Sequence, residues 1–159
     1  MRHALTLILA LGLSLPALAQ ETTPDPTPEP EAPEIVVPEA PELVVLDATE
    51  TTLEDHLWVA RPIVIFADTP RDPRFQEQLD MLLARPEPLI ERDVVVILDA
   101  DPSARSGIRQ ALRPRGFSMV ILQRDGNVAL RKPTPWDVRA ITRAIDNLPL
   151  RLEELGLTQ

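Results

Sequence analysis

Not one of the 159 residues is a cysteine. The chain can form no disulfide, so whatever it folds into must be held by burial and hydrogen bonding alone. The constraint bites because the first nineteen residues read as an export signal. Met1, Arg2 and His3 make a short basic start, residues 5–15 are an apolar run too short to span a bilayer, and Ala17-Leu18-Ala19 is a small-x-small cleavage site before Gln20. Small exported domains commonly lean on disulfides. This one has to manage with its core, and a domain of roughly 110 residues buries about two-thirds of its unfolded surface, which suffices. No cysteine follows the cleavage site, which removes a lipoprotein anchor, and no later segment reads as a membrane span. The expected address is the periplasm or the exterior, after cleavage near Ala19.

The net charge of −9 belongs mostly to one segment. Residues 20–50 carry nine carboxylates and no base, whereas residues 51–159 carry sixteen acids and fifteen bases. The folded part is thus almost neutral, and aromatic residues are only 3% of the chain. Neither property suits nucleic-acid binding, which needs a basic surface and stacking rings.

The acidic segment divides in two. Thr23-Pro24-Asp25-Pro26-Thr27-Pro28-Glu29-Pro30 cannot bury apolar surface and reads as an extended spacer. Beyond it comes an internal echo, Pro33-Glu34-Ile35-Val36-Val37 and then Pro41-Glu42-Leu43-Val44-Val45. The second copy is expected to dock as a short edge strand. The alternative is a pair of peptide motifs that extend another protein's sheet.

From residue 51 onward the pattern is globular. Thr52 and Asp55 resemble a capping box opening a helix through Trp58. Ile63-Val64-Ile65-Phe66 reads as a strand, and Asp72-Pro73 caps and opens a helix with Phe75, Leu79, Leu82 and Leu83 on one face. Val94-Val95-Val96-Ile97-Leu98 is apolar on both faces, as in a strand covered on two sides. Asp101-Pro102 is expected to start a helix carrying Ile108 and Leu112. Met119-Val120-Ile121-Leu122 is a third core strand, and Asp125-Gly126 turns it back into Asn127-Val128-Ala129-Leu130. Thr134-Pro135 should open a last helix with Val138, Ile141, Ile145 and Leu148 buried. This order implies an α/β domain of thioredoxin-like (peroxiredoxin-like) type: three layers around a central mixed sheet, preceded by a signal peptide and a disordered Pro-rich tail. The expected domains are 1–19, signal peptide; 20–50, acidic Pro-rich linker; and 51–159, thioredoxin-like domain.

The stretch from about residue 53 to 155 resembles a bacterial domain-of-unknown-function family with a peroxiredoxin-like fold, related to domains in secreted sushi-repeat proteins. The resemblance rests on Ala60-Arg61-Pro62-Ile63-Val64-Ile65-Phe66, on Glu91-Arg92-Asp93-Val94-Val95-Val96, on Arg124-Asp125-Gly126, and above all on Ile145-Asp146-Asn147-Leu148-Pro149-Leu150-Arg151. Its motif residues here are Arg61, Asp125, Gly126, Pro149 and Arg151. In a redox-active domain of this type a thiol follows the first core strand. Here that stretch reads Ala67-Asp68-Thr69-Pro70-Arg71-Asp72, and Ser118 stands where such a domain carries its cis-proline. Thiol–disulfide exchange and peroxide reduction need a thiolate that this chain lacks.

Three groups are candidates for ligand binding. Asp68, Asp99 and Asp101 should lie at the carboxyl ends of parallel strands, where they either hold a hard cation or cap the following turns. Arg105, Arg109 and Arg113 recur every four residues, a spacing that makes one basic helical stripe, facing an anion, a partner or solvent. Arg71 and Arg74 open the helix after the first strand and either attract an anion or pair with Asp72 and Glu77. Arg151 should pair with Asp146 or a carboxylate at the core edge. His56 has no metal-spaced partner, Ser103 and Ser118 lack a nucleophile context, and there is no phosphate, dinucleotide or zinc motif. No metal site, cofactor or catalytic residue is expected. The reading is an exported, non-catalytic binding or accessory domain, whose partner is an envelope protein or a small anionic ligand. The alternative is an enzyme dependent on a metal or anion, using carboxylates at the strand ends.

Overall fold

The computed structural model describes residues 41–157. The leader, the Pro-rich tract and Ile35-Val36-Val37 lie outside them. Five strands form one sheet: β1 (Val44–Asp47), β2 (Arg61–Phe66), β3 (Val94–Asp99), β4 (Ser118–Leu122) and β5 (Val128–Lys132). Their order is β1-β3-β2-β4-β5. β1 and β2 run parallel to β3, and β4 runs antiparallel to both its neighbours, β2 and β5, so the sheet is mixed.

Alternation along β2 decides the layers, because successive strand side chains point to opposite faces. Ile63 and Ile65 face a core closed by Phe75 and Leu82 of α1 (Pro73–Leu83), Leu89 of α2 (Glu87–Ile90) and Val138, Ile141 and Ile145 of α4 (Val138–Asp146). Val64 and Phe66 face the opposite core, closed by Ile108 and Leu112 of α3 (Gly107–Leu112). This is the expected three-layer arrangement.

Local signals account for most boundaries. The Asp72 carboxylate accepts from the Arg74 backbone N–H, with Pro73 in the first turn of α1. The second copy of the echo is β1, in register with Val95 to Leu98, so the sheet takes in residues upstream of 51. Residues 52–58 hold only a short 3-10 turn (Glu54–His56) and no longer helix, although Asp55 does accept from the Thr52 N–H at 2.8 Å.

Four helical expectations are corrected. Leu83 is exposed, and the α1 side chain buried beside Phe75 and Leu82 is Gln78. Its amide donates to Trp136 O at 2.9 Å and accepts from Trp136 N at 2.8 Å, so burial leaves no polar atom of this pair unmatched. The segment after Asp101 is not one helix. A 3-10 turn (Pro102–Ala104) ends at Arg105 in the left-handed region, and Ser106 caps a separate α3. α4 begins at Val138, not at Thr134-Pro135, because the Asp137 side chain accepts from Ala140 N and caps the first turn. It is also not the last helix: Pro149 opens α5 (Pro149–Glu154).

Candidate functional site

The carboxyl ends of β2 and β3 are built around Asp99, the last residue of β3 and only 5% exposed. Ser106 Oγ donates to Asp99 Oδ2 at 2.6 Å, and Arg109 Nε donates to Oδ1 at 2.8 Å. Arg109 Nη2 lies 2.7 Å from the same Oδ1 and also donates to the carbonyls of Ala67, at 2.8 Å, and Asp99, at 2.9 Å. The guanidinium stands 5.4 Å over the Phe66 ring. Ser106 Oγ in turn accepts from Arg109 N at 3.0 Å, capping α3. The cluster therefore ties β2, β3 and α3 together, with both Asp99 carboxylate oxygens engaged.

Of the two readings offered for the three aspartates, capping describes Asp101. Asp68, Asp99 and Asp101 do not converge on a cation. Asp99 is committed to Arg109 and Ser106, and Asp101 Oδ1 accepts from Ser103 N at 2.9 Å and Ser103 Oγ at 2.6 Å. Asp68 is exposed, close to Gly116. Hydrogen bonds from the Ser103 side chain and N–H hold the Asp101 carboxyl below its usual range, as a turn cap does. Among the described residues no group of three or more His, Cys, Asp or Glu is placed to hold a metal ion.

The arginine stripe fails for a backbone reason. Arg105 and Arg113 both have positive φ, 49° and 48°, one before α3 and the other ending it. A left-handed residue breaks the helical repeat, so the four-residue spacing puts no common face behind the three side chains. Arg109 alone is on the helix, and it turns inward.

Where a thiol would follow β2, the chain forms a polar turn. Arg74 pairs with Asp72 at 2.9 Å and lies 5.4 Å over Phe117, while Arg71 is exposed. Pairing with Asp72, one of the two readings offered for this pair, describes Arg74. Ser118 starts β4 opposite Phe66. His56 Nε2 lies 2.9 Å from Thr51 Oγ1.

The opposite end of the sheet holds what the sequence did not show as a site. Arg61, at the start of β2, is 1% exposed. Its Nη1 donates to Arg92 O at 2.7 Å and lies 4.0 Å from Asp93 Oδ2, and its Nη2 donates to Glu154 Oε2. Arg151 Nη1 reaches the same Glu154 oxygen at 3.2 Å, and Arg124 Nη1 lies 3.8 Å from Oε1. Arg124 Nη2 also donates to Asp93 Oδ2, at 3.2 Å, and to Val59 O, at 3.1 Å. Beside them Arg92 grips Asp146 through two 2.8 Å bonds. Arg151 thus finds its carboxylate on its own helix, at Glu154. The hydrogen bonds from Arg92 keep the Asp146 carboxyl below its usual range. Burial raises Glu154, but bonds from Arg61 and Arg151 outweigh it and leave the net shift downward.

Asp125 and Gly126 shape this end without joining the charges. Asp125 Oδ1 accepts from Asn127 N at 2.9 Å, and Gly126, at φ +83°, turns the β4–β5 hairpin against Leu57. Pro149 opens α5, which carries Arg151 and Glu154. The motif residues Arg61, Asp125, Gly126, Pro149 and Arg151 therefore gather at one end of the sheet. The sequence signal that draws these residues together is the run of family motifs, none of which marks the cluster alone.

The fold has counterparts among solved structures. The chain is similar to a chloroplastic thioredoxin z, with 18% identity over 67% of this chain and 94% of that one, and a TM-score of 0.50. It is also similar to a reduced 2-Cys peroxiredoxin from Plasmodium vivax, with 12% identity over 66% of this chain and 85% of that one, and a TM-score of 0.53. Identities this low establish a shared thioredoxin-like fold and nothing about activity. No curated protein matches the chain in sequence. Residues 52–154, from the capping turn through Glu154, match the family described as Domain of unknown function (DUF4174), and the chain belongs to that family.

Proposed function

We propose that this protein is an exported binding module, a thioredoxin-like domain that works through its surface and not through thiol redox chemistry. The observation that carries the reading is the state of the strand ends. Where the fold's redox chemistry needs a thiolate, the chain has Asp68-Thr69-Pro70-Arg71-Asp72, and it has no cysteine anywhere. The one buried carboxylate nearby, Asp99, is engaged by Arg109 and Ser106. A general acid or base needs an atom free to reach substrate, whereas both Asp99 oxygens are already engaged and the residue is 5% exposed. The export signal, the acidic Pro-rich tail and the resemblance to bacterial domains related to secreted sushi-repeat domains support a periplasmic or extracellular place of work. The partner is an envelope protein or a small anion.

The test is thermal unfolding of the full mature chain against divalent metals, phosphates and small organic anions, followed by recovery of each stabilising compound. A ligand at 100 times its Kd raises stability by about 2.7 kcal/mol. The expected result is that every stabilising compound is recovered unchanged after prolonged incubation. Conversion of any of them, lost on Asp99→Asn or Asp68→Ala, would replace this reading with an enzymatic one.

A further inference from the structure

β1 is an edge strand. It pairs with β3 on one side, and among the described residues no strand pairs with it on the other. Such an edge directs alternate backbone N–H and C=O groups outward, where an added strand can meet them. Pairing with β3 is maintained to the far end, where Ala48 N donates to Leu98 O at 2.9 Å. Val44 and Val45, which point to opposite faces, are both exposed.

An apolar cleft of about 320 Å³ opens at the start of β1, lined by Val44, Val59, Ile90 and Val94 and also by Glu42 and His56. A mostly apolar wall with a few polar groups is the make-up of a binding cleft. Trp58, next in the chain to Val59, is 67% exposed and has a φ of +61°. That backbone is rare for a bulky residue. It is held by Trp58 N donating to Arg124 O at 2.7 Å and by Arg124 Nη2 donating to Val59 O at 3.1 Å. The fold thus keeps a strained residue in place with its indole in solvent.

The charge around β1 is of one sign. Residues 41–60 contain Glu42, Asp47, Glu50, Glu54 and Asp55 and no Lys or Arg. Hydrogen bonds from Thr49 hold the Asp47 carboxyl below its usual range against the opposing charge of Asp101. None of these six carboxylates takes part in an ion pair among the described residues, whereas Asp93, Asp99, Asp146 and Glu154 all do. A second copy set edge to edge would bring like charges together, which destabilises a strand pair. A basic strand answers them.

We propose that the free edge of β1 binds an extended, basic segment of a partner protein as an added strand, with an apolar side chain of that segment in the cleft beside Val44 and its Lys or Arg side chains against Glu42, Asp47 and Glu50. The proposal deepens the binding reading, on which it rests, by giving the class of partner. Main-chain hydrogen bonds supply affinity and alternate side chains supply specificity. The exposed Trp58 ring offers a cation of the segment a further contact.

The experiment is calorimetric titration of the full mature chain, at fixed ionic strength, with a seven-residue synthetic peptide of alternating lysine and valine. Two control peptides are expected to bind at least tenfold more weakly: one with glutamate for lysine, and one N-methylated throughout, which keeps the charge and loses the backbone donors. Glu42→Lys/Glu50→Lys is expected to weaken binding of the lysine peptide at least tenfold. Both side chains are exposed, so the change leaves the core untouched. Hydrogen exchange locates the contact on the unaltered chain: the lysine peptide should slow the amides of residues 44–48 and leave β5, the other edge, unchanged. Absence of binding, equal binding of either control peptide, or protection confined to β5 overturns the proposal. So does a concentration-dependent dimer in which the β1 amides gain protection without peptide, since a second copy then holds the edge. Failure here leaves the binding-module reading intact, because that reading stands on whether stabilising compounds are recovered unconverted.

Discussion

Asparagine at position 99 is the most informative single change. Asp99 receives Ser106 Oγ and Arg109 Nε, and the Arg109 side chain is itself only 13% exposed at the carboxyl ends of β2 and β3. Removing one member of a buried ion pair costs about 3–5 kcal/mol, because the other charge stays behind without its counter-ion. In Asp99→Asn the stranded guanidinium keeps the carbonyls of Ala67 and Asp99 and the Phe66 ring, and asparagine keeps one acceptor oxygen. The loss should fall at the low end, about 3 kcal/mol. Arg109→Met strands an anion that retains only Ser106, so about 4 kcal/mol is expected. With both changes no charge is stranded, and the double variant should lose about 4 kcal/mol, well short of the roughly 7 kcal/mol from simple addition. The coupling is thus about 3 kcal/mol, large for neighbouring residues. Urea unfolding of all four proteins measures it, with the slope m held constant across the set as the check that only the native state changed. In a domain of this size Asp99→Asn should lower Tm by roughly 10 °C. Additivity within about 0.5 kcal/mol would refute the claim that these groups exist for each other. A rise in stability on Asp99→Asn would refute it from the other side, because strained functional carboxylates are the ones whose removal stabilises.

Two further outcomes follow from the opposite end of the sheet. In Gly126→Ala the new Cβ would lie 2.8 Å from Leu57 Cδ2 at a φ of +83°, so both strain and a clash arise. A loss of about 1–2 kcal/mol is expected, reduced by Leu57→Ala to the backbone part alone, and a loss under about 0.5 kcal/mol would refute the reading. The pH dependence has a definite sign. Glu154 and Asp146 have folded pKa values below their unfolded ones, so their stabilisation is complete above pH about 4–4.5 and drains away as pH falls through the folded values. Urea midpoints should therefore drop between pH 5 and pH 3, and drop less in a Glu154→Gln/Asp146→Asn double variant. Identical pH profiles for the two proteins would refute the assignment.

Much of the fold was legible in the chain because its causes are local. A run such as Val94-Val95-Val96-Ile97-Leu98, a cap such as Asp72-Pro73 and a turn such as Asp125-Gly126 each act over a few neighbours. They fixed β3, α1 and the β4–β5 hairpin, and they pointed to the docking of β1. The helical errors arose where a local rule had a local rival. Asp101-Pro102 is a valid start, but Ser106-Gly107 five residues later is a second one, and the left-handed Arg105 between them divides the helix. Asp137 competes with Thr134 in the same way.

The charged clusters had no such local signature. Arg61 and Glu154 are 93 positions apart, Arg92 and Asp146 54, and Arg109 and Ala67 42. Nothing in a spacing of four marks Arg109 as an inward cross-link and Arg105 as a turn residue; the backbone angles on either side of α3 decide it. Composition alone established that this sequence supplies no cysteine thiol, since a missing residue type is missing in every conformation. Which charges meet is a property of distances across the sheet. Only the tertiary structure sets those distances, because burying the apolar faces of β2 and β3 leaves their end residues, Arg61 and Asp99, no choice of neighbours.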